Sequence, residues 1–188
     1  MSEMHYWDAH WDLRVAECPC DVEFTDYVRD KKIVDSTIFH FGTGGHHHLG
    51  HSFHKARDNN AVIGITASPS EYEAYIKLSI EKPEIVRLYK VFFGDIYQLE
   101  QRLLPTFDIV TLFHLCEFRN EKNDTYGALT DLGVVELFMK ILKSTGSLAL
   151  YTGSYAWPQA KVIIDDLCAQ QRLVKSHVYK TLIFYTLP

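Results

Sequence analysis

Two kinds of pattern alternate along this chain: short apolar runs rich in β-branched and aromatic residues, and longer stretches in which apolar positions recur every three or four residues. The runs predict strands over 36–41, 61–66, 86–93, 107–115, 147–152, 173–179 and 181–187. The helical spacing predicts helices over 22–32, 46–59, 98–104, 131–142 and 160–171, and one more that Ser68 or Ser70 caps and that ends before Pro83. Asp21 stands where it could cap the first helix, whose apolar face is Phe24, Tyr27 and Val28. The aromatic opening through Tyr6, Trp7, Trp11 and Leu13 has no clean period and reads as a lid or edge segment.

Runs such as Phe107-Asp108-Ile109-Val110-Thr111-Leu112-Phe113 are apolar on both faces, as strands of a parallel sheet are, while the last two strands are too close together for anything but an antiparallel hairpin. The order implies an α/β fold: a three-layer α/β/α sandwich with right-handed crossovers and a seven-stranded, mostly parallel sheet. Ligands of such sheets bind at the carboxyl ends of the strands, here Gly42, Thr66, Asp95, His114 and Thr152.

Composition narrows this further. With 188 residues, 47% hydrophobic and 23% charged, the chain fits one domain over 1–188, in which 1–34 form an N-terminal lid or helical segment and 35–188 the core. A formal charge of -5 gives no basic stripe, so no nucleic-acid partner is expected. No apolar run reaches the roughly 18 residues of a membrane span, and the polar start Met1-Ser2-Glu3-Met4-His5 is unlike a signal peptide, so no membrane partner and a cytoplasmic location are expected. Of the cysteines Cys18, Cys20, Cys116 and Cys168, only the first two are close; flanking a proline they make a poor disulfide, and reduced thiols are expected.

The densest motif is the first core strand with its ending, Phe39-His40-Phe41-Gly42-Thr43-Gly44-Gly45-His46. Glycines after a buried strand permit a tight turn and let backbone approach a ligand; they also occur in turns that bind nothing. A dinucleotide-binding turn is the competing reading, but His47 stands where that fingerprint wants its third glycine.

The glycine turn, Val62-Ile63-Gly64-Ile65-Thr66-Ala67, Gly94-Asp95-Ile96, Phe107-Asp108-Ile109-Val110 leading to His114, and Ile141 to Leu148 occur in an order that resembles the class I S-adenosylmethionine-dependent methyltransferases from about Asp35 to the C-terminus. The resemblance implies the Rossmann-like methyltransferase fold, S-adenosylmethionine as cofactor and methyl transfer to a small-molecule acceptor. It further implies that Gly42 and Gly44 pass under the methionine part of the cofactor, that Thr66 meets the ribose, and that Asp95 with Ile96 holds the adenine. His40, Phe41, Thr43, Gly45, Ala67 and Phe113 complete the implied cofactor set. His40 and Thr66 stand where the family usually carries acidic residues, and His46 takes the third place of the turn. Those replacements motivate the alternative, a non-catalytic methyltransferase-like protein serving as a binding or interaction module.

Two groups of candidates remain. His114, at the end of the fourth strand, could act as a base on the acceptor with Glu117 three residues on, or could be a histidine merely satisfied at a strand end. His46, His47, His48, His51 and His54 bring histidines one helical turn apart, as zinc sites do, with His47, His51 and His54 on one helix face. No cysteine or carboxylate is placed beside them in sequence, so they are read as exposed or packed neutral, and no metal is expected.

Overall fold

The computed structural model describes residues 7–188, so Tyr6 and the polar start lie outside the described residues. The elements follow in the order α1 (Cys20–Asp30), β1 (Thr37–Phe41), α2 (His48–Ala56), β2 (Ala61–Thr66), α3 (Pro69–Glu81), β3 (Tyr89–Phe93), β4 (Phe107–Thr111), α4 (Glu121–Asp124), α5 (Asp131–Ile141), β5 (Leu142–Tyr151), α6 (Trp157–Ala169), β6 (Val174–Tyr179) and β7 (Leu182–Thr186). The seven strands form one sheet in the order β3-β2-β1-β4-β5-β7-β6. The first five are parallel, and β7 pairs antiparallel with both β5 and β6.

Period-two alternation sorts each central strand between two cores. Phe39, Ile65, Val110 and Leu148 point to one face, where Phe138 of α5 and Ile164 of α6 cover them. Ile38, Val62, Ile109 and Ala149 point to the other, against Phe24 of α1 and Leu49 and Phe53 of α2. The expected three-layer sandwich with its antiparallel closing hairpin is what forms, because strands buried on both faces need a helical layer on each side.

The boundaries depart from the sequence pattern in informative ways. β4 stops at Thr111, not 115: Leu112, Phe113 and Leu115 are fully buried, but inside a turn that the Leu115 N–H closes on the Leu112 carbonyl at 3.3 Å. The helix expected over 98–104 is two 3-10 turns, Ile96–Gln98 and Gln101–Leu103, because the backbone is extended at Leu99 and Glu100 and the Glu100 carboxylate takes the Arg102 N–H. The strand expected from 86 begins at Tyr89, after a 3-10 turn over Ile85–Arg87. Gly146 lies inside β5, at a bulge, instead of in a turn before it; a Cβ there would meet the Asp108 carbonyl at 3.0 Å. Ser68 caps α3 as expected, whereas Asp21 does not cap α1 but lies in its first turn with a buried carboxylate. Helix α4, with its Asn120/Asn123 capping box, has no counterpart in the apolar pattern because it is too short to show a period.

Phe138 is 1% exposed and its ring lies 4.3 Å from that of Phe39. Phe138→Ala should cost about 3–5 kcal/mol in a denaturant-unfolding measurement, against under ~0.5 kcal/mol for Ile80→Ala on the exposed side of α3.

Candidate functional site

At the carboxyl ends of β1, β2 and β3 the chain forms a partly open cavity of about 350 Å³. Its floor includes Phe41, Gly42, Gly44, Thr66, Ala67, Asp95 and Ile96, and its walls include Trp7, Trp11, Phe118, Tyr151 and Tyr155. Gly42 has φ +84°, a conformation open to glycine, and a Cβ on it would lie 3.2 Å from the His114 ring. Gly64 of β2 makes room for Thr43: a Cβ there would lie 2.5 Å from the Thr43 methyl. Thr43 is fully buried, and its hydroxyl has no hydrogen-bond partner.

The N-terminal segment crosses over this turn. Trp7 N–H donates to the Ala67 carbonyl at 3.0 Å, Ser68 Oγ donates to the Ala9 carbonyl at 2.5 Å, and Gly45 N–H donates to the Trp11 carbonyl at 2.9 Å. Trp11 N–H in turn donates to Glu71 Oε1 at 3.2 Å.

Glu71 is the residue the sequence pattern does not reveal. It sits in the first turn of α3, is 8% exposed and lines the cavity; Thr66 Oγ1 donates to its Oε2 at 2.6 Å. Burial pushes its carboxyl above the usual range, against the hydrogen bonds from Thr66 and Trp11. A carboxylate therefore stands at the end of β2 although Thr66 occupies the strand position itself. The only signal for it is a glutamate three residues after the capping serine, a pattern that reads first as helix capping. Asp95, at the end of β3, is held on both oxygens: Oδ1 accepts from Tyr97 N–H at 2.9 Å, and Oδ2 from Asn123 Nδ2 at 2.8 Å and Tyr126 Oη at 2.6 Å.

Opposite the glycine turn, Cys18, Cys20, His114 and Glu117 come together. The two sulfurs are 3.4 Å apart and each lies 3.9 Å from His114 Nε2, while His114 Nδ1 lies 3.1 Å from Glu117 Oε2. Glu117 Oε1 accepts from Ser154 Oγ at 2.5 Å and from Tyr155 N–H at 3.0 Å. The neighbouring Cys20 thiol lowers the Cys18 pKa to about 5, against burial and with help from His114, whereas burial raises that of Cys20. Burial opposes charge on His114, yet Cys18 and Glu117 raise its pKa to about 10. The ring thus lies between the Cys18 and Cys20 sulfurs and the Glu117 carboxylate, which favour its charged form against burial.

His40, 1% exposed, does not line the cavity. Its Nδ1 is 2.8 Å from Thr111 Oγ1, and its Nε2 faces Asp21 Oδ1 of α1 at 3.6 Å, an ion-pair distance too long for a hydrogen bond. His46 Nε2 lies 3.8 Å from the other Asp21 oxygen. The histidines do not form one patch: His47 takes a left-handed backbone (φ 45°) before α2, so it is not on a face with His51 and His54. Burial lowers its pKa to about 4, and its ring sits neutral between the Tyr89 hydroxyl and the Glu71 carbonyl.

Of the residues expected at a cofactor, Phe41, Gly42, Gly44, Thr66, Ala67, Asp95 and Ile96 border the cavity together with His114 and Glu117, while His40, Thr43, Gly45 and Phe113 do not. Phe113 instead packs edge-on against Phe24 of α1 at 5.8 Å. Among the described residues no helix is long and apolar enough to cross a membrane.

No protein-family model and no curated protein matches the chain. Solved structures do. It is similar to a SAM-dependent methyltransferase from Aquifex aeolicus, with 14% identity, 92% of this chain and 95% of that one covered, and a TM-score of 0.62. It is similar also to a putative RNA methyltransferase from Pyrococcus horikoshii, with 13% identity, 99% and 94% covered, and a TM-score of 0.59. A third, coclaurine N-methyltransferase bound to N-methylheliamine and SAH, matches at 17% identity over 69% of this chain with a TM-score of 0.50, and there the chain spans 35% of that protein's length. This chain has the Rossmann-like fold of the S-adenosylmethionine-dependent methyltransferases. The strand ends and the segments that follow them place Glu71, Asp95 and His114 around one cavity.

Asp21 offers a pH test. Burial raises its carboxyl, but His40, then His46 and His114, outweigh that and hold it below the usual value. A depressed folded-state pKa stabilises above the unfolded value of about 3.9, and that contribution disappears as the pH falls through the folded value. The melting temperature should therefore fall as the pH drops below about 4, and Asp21→Asn should flatten that acid limb.

Proposed function

We propose that this protein is an S-adenosylmethionine-dependent methyltransferase acting on a small-molecule acceptor. The observation that carries the reading is the buried Glu71 carboxylate at the end of β2, which restores the acidic group that Thr66 lacks. A carboxylate has about four acceptor sites, so Glu71 has capacity left for a ribose hydroxyl after Thr66 and Trp11 are served. Gly42 and Gly44 line the part of the cavity assigned to the methionine, with the His46 ring and the Trp11 carbonyl packed against Gly44, and Ile96 with Asp95 lines the adenine end. The donors present fit the cofactor. With Glu71 in place, the replacement at Thr66 no longer favours a non-catalytic reading, while those at His40 and His46 stand.

When bound, the cofactor supplies an electrophilic methyl group on a sulfonium. The chain's own part is alignment and exclusion of water, which dominate a displacement of this kind. Trp7, Phe118, Tyr151 and Tyr155 form a largely aromatic wall, and the segment through Ala9 to Trp11 is hydrogen-bonded across the opening. A partly open cavity of about 350 Å³ in a chain of charge -5 suits a small acceptor better than a polynucleotide. Glu117, fixed by Ser154 and Tyr155, orients the His114 ring beside Gly42, at the edge where an acceptor would meet the methyl group.

Calorimetric titration with S-adenosylmethionine and with its demethylated product should give saturable heats; silence at millimolar ligand would end the proposal. Glu71→Gln should weaken binding by about 1–3 kcal/mol, at least a several-fold rise in Kd. Thr66→Asp should weaken it also, because a second carboxylate beside Glu71 forces one of the pair to keep its proton.

A further inference from the structure

We propose that Cys18, Cys20 and His114 form a binding site for a thiophilic divalent cation, Zn²⁺ in the first instance, with its fourth coordination position open to the cavity. Among the described residues these three are the group whose ligand atoms converge, all within 4.8 Å of one another. A tetrahedral zinc with Zn–S of about 2.3 Å and Zn–N of about 2.0 Å sets its ligand atoms about 3.8 Å apart for S···S and about 3.5 Å for S···N. The distances here are 3.4 Å for S···S and 3.9 Å for both S···N, so a few tenths of an ångström of side-chain adjustment bring the triangle around an ion.

Independent features support the same assignment. His114 presents Nε2 to the sulfurs and Nδ1 to Glu117 Oε2 at 3.1 Å, the carboxylate–histidine arrangement that fixes the ring of a metal-bound imidazole and raises its basicity. Glu117 is itself pinned by Ser154 and Tyr155 N–H, so the orientation extends beyond the ligands. Pro19, with φ -81° and ψ -3°, turns the chain between the two cysteines so that their thiols face one point, and the buried Asp21 carboxylate, 3.6 Å from Cys20 Sγ, adds to a corner rich in anionic groups. Cys18 and His114 line the cavity while Cys20 is buried behind them. The three protein ligands leave one tetrahedral position, as catalytic zinc sites do, and here it borders the cavity. A water or the thiol or hydroxyl of an acceptor would take it and lose its proton to solvent on binding; that last role rests on the methyl-transfer reading, whereas the metal site does not.

The test uses the 188-residue chain without an affinity tag, purified in a phosphine reductant and dialysed, with no cofactor added. Elemental analysis should find one equivalent of zinc, or the metal-free protein should take up one on titration. Co²⁺ in its place should show tetrahedral d–d bands with sulfur-to-cobalt charge transfer, and N-acetylcysteine should intensify the latter by filling the open position. Cys18→Ser should weaken Zn²⁺ at least about tenfold and diminish the charge transfer; Glu117→Gln should weaken it about 10–100-fold. His51→Ala and His54→Ala should change nothing. Wild-type protein that binds neither ion, a cobalt complex without sulfur charge transfer, or metal lost on His51→Ala and kept on Cys18→Ser would overturn the site, as would a Cys18–Cys20 disulfide that takes up no metal after reduction. None of these readouts depends on whether S-adenosylmethionine binds, and the wild-type spectrum stands even if a variant fails to fold.

Discussion

One buried carboxylate holds the site together. Asp21 is 5% exposed, in the first turn of a helix that precedes the sheet in sequence, and its two oxygens face His40 of β1 and His46 of the turn that follows. A buried carboxylate favours a position near such partners, and together with the apolar face of Phe24, Tyr27 and Val28 it seats α1 against the sheet. That position brings Phe24 over Phe113 and Phe53, and sets the Cys18-Pro19-Cys20 turn against His114. The contact that fixes the helix therefore also assembles the thiol–imidazole corner of the cavity.

The cavity is a joint product of strand ends and a strap. Parallel strands converge their carboxyl ends, as this architecture requires, and supply Gly42, Thr66, Asp95 and His114. The segment through Trp7 to Trp11 then closes over them with backbone hydrogen bonds to Ala67, Glu71 and Gly45. Glu71 serves three neighbours at once: it steadies the strap, receives the Thr66 hydroxyl and, through its carbonyl, meets His47. A glutamate on the following helix reaches the end of the strand because the first turn of α3 folds back over the end of β2.

The histidine run shows how neighbours in sequence part company in space. His46 is paired with Asp21, His47 sits neutral among Tyr89, Tyr75 and the Glu71 carbonyl, His48 meets Thr25 and Ser52, and His54 is exposed. A left-handed residue at His47 breaks the helical register that would have lined them up. Thiols and an imidazole converge instead at His114 and at cysteines 94 and 96 residues away in sequence.

Hydrophobic periodicity alone determined the layers, the strand order's parallel character and the closing hairpin, because burying one face or both is a property of local sequence that any packing must respect. It also located the glycine turn and the strand ends, since glycine and strand termination are local facts. It misjudged Leu112 to Leu115, where burial is achieved in a turn, and Ser144 to Gly146, where a bulge replaces a turn, because a run of apolar residues records burial and not backbone geometry. What only the tertiary structure decided is pairing across distance: Asp21 with His40, Glu71 with Thr66 and Trp11, and Cys18 and Cys20 with His114. Each is a meeting of polar groups on different elements, and polar groups carry no period. Their partners are set by how helices dock on the sheet, which no local pattern encodes.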